Sequence, residues 1–188
     1  MKAAIALLAD CRIQNFVRKI AFDLNRKYNI DFLASYLPAH ISLKQPFSFE
    51  SMEKLENYFN LLAESIKPFE IELNKIYYTK WKEYGILGLN VKETSILRNL
   101  HNQINRELSE LFENASAPHD GDTYHFHLTI ELGKIAGENV YKNYFDNLED
   151  RKVNLSYTVR DIALFYYADE SFKVSSFMNY KVLPLGIE

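Results

Sequence analysis

Two short stretches carry residues that could do chemistry together. In His40-Ile41-Ser42-Leu43 and again in His127-Leu128-Thr129-Ile130, an imidazole is followed two residues later by a hydroxyl, with apolar residues between and after. An imidazole titrates close to neutral pH, so one neutral and one charged ring can take and give a proton in a single reaction. A hydroxyl beside each could donate a hydrogen bond to charge that builds at a reacting centre. With 47% of the chain apolar, one histidine meets this pattern by chance about 2% of the time, so its recurrence at two of five histidines is a specific signal.

Side chains on a strand alternate between its faces. Phe126, Leu128, Ile130 and Leu132 therefore point one way, and His125, His127, Thr129 and Glu131 the other. In the upstream stretch Ile41 and Leu43 face a core, leaving His40, Ser42 and Lys44 on the opposite side. Lys44 and His125 are thus candidates for substrate binding, and Glu131 could hold the His127 tautomer. His101 falls on a helix between Leu100 and Asn102 and is expected to be exposed, and His119 lies in the loop before the second motif.

The elements that must position these strands repeat. An apolar strand over Ala3–Ala9 precedes a helix over about 12–28, marked by Ile13, Val17, Ile20 and Leu24 at helical spacing. The first motif strand covers roughly 39–45 and ends at Pro46; a helix follows from Ser51 to Pro68, then a strand from Phe69 to Asn74. The second round begins with a strand over Tyr84–Val91 and a helix from Ser95 to Phe112. The motif strand Tyr124–Leu132, a helix marked by Tyr141, Tyr144 and Leu148, and one long strand over Val153–Tyr166, bulged near Arg160–Asp161, complete it. A turn at Asp169–Lys173 and a strand over Phe177–Leu183 close the chain. The reading is a single α+β domain, 1–188, built as a two-lobed pseudo-symmetric repeat of β-α-β-α-β units. Its mainly antiparallel sheets line a central cleft with helices outside, and its lobes cover roughly 1–80 and 81–188, with room for the terminal strands to exchange.

On these residues the chain resembles the two-histidine (2H) phosphoesterase superfamily, in its bacterial 2′-5′ RNA ligase-like branch. The resemblance rests on the two motifs, their separation of 87 residues, the repeat, and the extended run His40-Ile-Ser-Leu-Lys-Gln-Pro-Phe47. Ser42 departs from the threonine usual in the first motif, a change the superfamily tolerates. The resemblance implies two lobes around a cleft. It also implies action without metal or other cofactor on 2′,3′-cyclic phosphates, 2′-5′ linkages or related nucleotide and RNA-end phosphodiesters. His40 and His127 would then be the acid–base pair and Ser42 and Thr129 the donors to the phosphate oxygens.

Composition narrows the partners. A net charge of −3 gives no field for a long duplex nucleic acid, though a small phosphate ester or an RNA end needs only a local site. Cys11 is the only cysteine, and the run Ala3–Ala9 is too short for a signal sequence or a membrane span. The expectation is a cytoplasmic monomer without membrane partners. Two rival readings remain. His125 and His127 with His119, Asp120, Asp122 or Glu131 could hold a metal for hydrolysis. Alternatively, the chain could bind a nucleotide or RNA end without turning it over.

Overall fold

Local chemistry fixes where the elements start, and pairing decides where they go. The computed structural model describes residues 1–32, 34–118, 120–135, 137–168 and 177–186. In chain order the elements are β1 (Lys2–Leu8), α1 (Cys11–Tyr28), a short 3-10 turn (Ala34–Tyr36), β2 (His40–Ser48), α2 (Met52–Ser65), β3 (Phe69–Trp81) and β4 (Tyr84–Val91). Then come α3 (Ser95–Leu111), β5 (His127–Lys134), α4 (Val140–Asp146), β6 (Lys152–Val159), β7 (Asp161–Tyr167) and β8 (Phe177–Pro184). Asp10, Ser51 and Thr94 cap α1, α2 and α3, each side-chain oxygen accepting from a backbone N–H three residues on.

The strands form one antiparallel sheet in the order β6-β3-β4-β5-β2-β1-β7-β8. The α+β class expected from the repeat is what the structure has, with the sheets of the two halves joined edge to edge. That seam lies between the two motif strands, where β2 and β5 share one paired position, Ile41 with Leu128. Helix α3 packs on β2, α4 on β3 and β4, and α1 on β5. Most of the core, including Ile41, Leu43, Leu128 and Ile130, forms one cluster, and Ala4, Ala6, Ala163 and Phe165 form a smaller second one.

The long strand expected over Val153–Tyr166 is divided at Arg160 into β6 and β7, which belong to different halves of the sheet. One residue spans only about 3.8 Å, so the sheet must curve until its ends approach. Strand β2 runs through Pro46 to Ser48, β3 runs on to Trp81, and the second motif strand begins at His127 rather than Tyr124. The turn expected at Asp169–Lys173 lies outside the described residues. Among those described, no helix is long and apolar enough to cross a membrane.

Candidate active site

The seam between β2 and β5 sets the geometry. Antiparallel strands run through Ile41–Leu128, so one step outward puts His40 beside Thr129 and Ser42 beside His127. The four residues occupy the corners of a rectangle, with the histidines on one diagonal. From ideal strand spacings the two histidine Cα atoms lie roughly 8 Å apart, which leaves room for a phosphorus-sized centre between the rings.

Both imidazoles are fixed in the same way. Nδ1–H of His40 donates to the carbonyl of Pro38 at 2.8 Å, and Nδ1–H of His127 donates to the carbonyl of His125 at 2.9 Å. A carbonyl only accepts, so each bond selects the tautomer that keeps the proton on Nδ1 and leaves Nε2 as the working atom. Burial pushes the His40 pKa down to about 4; the bond to Pro38 opposes the shift, and charge on His127 adds to it. His127 is also held below the ordinary histidine value, chiefly by burial and further by His125. The mutual repulsion disfavours two protons in the cleft at once. His40 packs edge-on against Phe165, with centroids 4.7 Å apart.

Ser42 and Thr129 are half-buried, and among the described residues neither hydroxyl has a hydrogen-bond partner. His125 is exposed at the rim, its ring stacked alongside His127 at 6.4 Å. Lys44 is elsewhere. The β1–β2 ladder pairs Ser42 with Ala6 but Lys44 with Ile5, so a bulge at Leu43 turns Lys44 to the face opposite Ser42. There it is only 2% exposed, and its ammonium donates to Asn105 on α3 and to Asp120, each at 2.6 Å. The expected alternation from His40 to Lys44 therefore stops at the bulge.

Glu131 shows the same displacement. Thr129 pairs with Gly88 but Glu131 with Leu87, so a bulge at Ile130 carries Glu131 away from the Thr129 face, where it is fully buried. Its Oε1 accepts from the backbone N–H of Ala34 at 2.7 Å, while the His127 tautomer is set by His125 instead. His101 is buried, not exposed: it donates through Nδ1 to the carbonyl of Leu43 at 2.8 Å, accepts at Nε2 from Gly121 N–H at 3.0 Å, and stacks on Tyr124 at 4.6 Å. Composition alone could not reveal that, because the partners come from distant elements. With Asp120 held by Lys44 and Glu131 by Ala34, two of the donors that would complete a metal site at His125 and His127 are engaged elsewhere. Among the described residues no three His, Cys, Asp or Glu side chains converge on one point. His119 lies outside those described.

A cavity of about 580 Å³ opens beside His40 and Thr129, walled by Ile30, Leu37, Trp81, Tyr84 and Tyr167 with Lys134 at one side. None of these wall residues stood out in the sequence, since Tyr and Phe number thirteen each.

Residues 9–170 match the family model of the 2′-5′ RNA ligase superfamily. No curated protein matches the chain. Among solved structures, TT0787 of Thermus thermophilus superposes with a TM-score of 0.71 at 15% identity, covering all of both chains. LigT of E. coli complexed with NADP+ gives a TM-score of 0.57 at 16% identity over 99% of this chain and 98% of LigT. Usb1 of Kluyveromyces marxianus gives 0.55 at 14% over the same shares. At these identities the likeness is one of fold.

Proposed function

Since the chain belongs to the 2′-5′ RNA ligase superfamily, we propose that it is a metal-independent phosphoesterase acting on a 2′,3′-cyclic phosphate, a 2′-5′ linkage or a related nucleotide or RNA-end phosphodiester. The observation that carries this reading is the matched tethering of His40 and His127 through Nδ1 on neighbouring central strands. It leaves two Nε2 atoms on one diagonal, with a hydroxyl at each remaining corner.

For a cyclic phosphate, neutral His40 takes a proton from water at Nε2 as the water oxygen attacks phosphorus. The bond from phosphorus to one ribose oxygen breaks, and protonated His127 gives its Nε2 proton to that departing oxygen. His40 suits the first role because its depressed pKa keeps it unprotonated at neutral pH. Ser42 and Thr129 donate to the non-bridging oxygens, whose charge grows in the transition state. Ligation is the same attack with a 5′-hydroxyl in the place of water, and cleavage of the resulting 2′-5′ linkage back to the cyclic phosphate is its reverse, with the roles of the two histidines exchanged. The cavity beside His40 is of the size that holds a nucleoside-like substituent, and the nucleotides held by crystals of LigT favour the same class.

The test is turnover in EDTA against 2′,3′-cyclic nucleotides, 2′-5′ dinucleotides and RNA ends bearing a cyclic phosphate, with the His40→Ala/His127→Ala double variant as blank. Turnover that survives chelation and vanishes in the double variant is expected. Activity abolished by EDTA and restored by a divalent metal would replace this mechanism with the metal-dependent one, and tight binding without product would make the chain a binding protein.

A further inference from the structure

The two hydroxyl corners have unlike neighbours. Reading outward from Ser42, the directly opposed residues are Ala6 on β1 and then Ala163 on β7. Outward from Thr129 they are Gly88 on β4 and then Tyr77 on β3. Opposed residues in an antiparallel sheet share a face, so Tyr77 rises on the face of Thr129, and its counterpart in the other half is a methyl group.

The Tyr77 ring does not stand upright over β3. A Cβ placed at Gly88 would meet Cε1, Cζ and the hydroxyl oxygen of Tyr77, each at 2.8 Å. The phenol therefore lies across β4, over the one position where only a hydrogen fits beneath it, with its oxygen brought toward β5. The ring is half-buried, its edge meets His125 at 6.3 Å, and among the described residues its hydroxyl has no hydrogen-bond partner. Burial, and secondarily the Tyr124 phenol, raise its pKa, so the group stays an O–H donor across the working range. Tyr124 itself donates to the carbonyl of Ser42 at 3.2 Å. A ring that served only to fill space would not need position 88 cleared.

We propose that Tyr77 is a substrate-contact residue, its hydroxyl donating to a phosphate oxygen on the Thr129 side of the cleft. This rests on the reading of the site given above and adds a third donor to the phosphate, supplied by one half of the molecule only. The donors then surround the phosphorus unevenly, so the two non-bridging oxygens are not equivalent to the protein.

Tyr77→Phe keeps the ring and removes the bond. The variant is expected to keep the wild-type melting temperature. It should lose about tenfold to a hundredfold in kcat/KM on a 2′,3′-cyclic nucleotide, the range for one hydrogen bond to a charged oxygen. Two readouts separate contact from structure. Discrimination between the two phosphorothioate diastereomers of that substrate should shrink in Tyr77→Phe, because sulfur is the poorer acceptor at the oxygen the phenol reaches. Affinity for the nucleoside monophosphate product, measured by calorimetry without turnover, should fall about tenfold. Unchanged diastereomer preference and unchanged product affinity in Tyr77→Phe overturn the inference. If His40→Ala and His127→Ala lose activity while Tyr77→Phe does not, only this assignment fails; if the histidine variants stay active, the acid–base reading fails first.

Discussion

The β2 half and the β5 half solve one problem with opposite charges. Four residues after each motif histidine, a bulge turns a charged side chain to the face behind: Lys44 after His40, Glu131 after His127. Lys44 then pairs with Asp120, which stands seven residues before His127, and Glu131 accepts from Ala34, six residues before His40. Each motif strand thus grips the loop that leads into the other. Those loops supply the carbonyls of Pro38 and His125 that orient the two imidazoles, so the grip on the loops and the setting of the rings are one device. What differs is its chemistry: one side is a buried ion pair, the other a carboxylate holding backbone N–H groups.

The largest effects should come from the histidines. His40→Ala and His127→Ala should each cost about 10²–10⁴ in kcat, the range for losing a general acid or base. Near wild-type turnover in either would remove one half from the mechanism. At the latches the halves should part company. Lys44→Met strands a buried carboxylate and should lower stability by about 3–5 kcal/mol, whereas Glu131→Ala, which leaves N–H groups without their acceptor, should cost about 1–3 kcal/mol. Urea melts of both variants check the order, and equal losses would mean that the ion pair contributes no more than the hydrogen bonds do.

Smaller effects belong to the hydroxyls. Ser42→Ala and Thr129→Val should each slow turnover about tenfold to a few hundredfold with little change in KM, as for donors that act on charge in the transition state. A change confined to KM would assign them to ground-state binding. The last effect is a slope. The His40 pKa lies near 4 in the fold against about 6.5 unfolded, so between those values the unfolded chain binds the extra proton. Stability must therefore fall as pH drops through that window and level off below it. His40→Phe should flatten the fall, and an unaltered pH dependence of the melting temperature would show that the ring is not held neutral. With both rings held below the ordinary histidine value, kcat/KM should rise as pH climbs past about 4, where His40 loses its proton, and fall at higher pH as His127 loses its own, earlier than a free imidazole would.

Most element boundaries were legible because their signals are local. The stripe Ile13, Val17 and Leu24 is buried along α1, and Ser51 caps α2 as its position before Met52 suggested. The alternation at His40–Leu43 and His127–Ile130 likewise states which side chains share a face, as long as the strand stays regular. Regularity failed at Leu43 and Ile130, where a bulge depends on the register of the neighbouring strand, and the expectation for Lys44 failed with it. The burial of His101 and the division of the long strand at Arg160 were hidden for the same reason: their partners lie far away in the chain.

By itself, then, the sequence determined two strands, each with an imidazole and an alcohol on one side, because a period of two is written into consecutive residues. Only the folded chain decided that these strands meet at Ile41 and Leu128, that Lys44 and Glu131 turn away to fasten the loops, and that Tyr77 lies down over Gly88. Those outcomes are set by pairings between residues tens of positions apart, which hydrophobic periodicity does not encode.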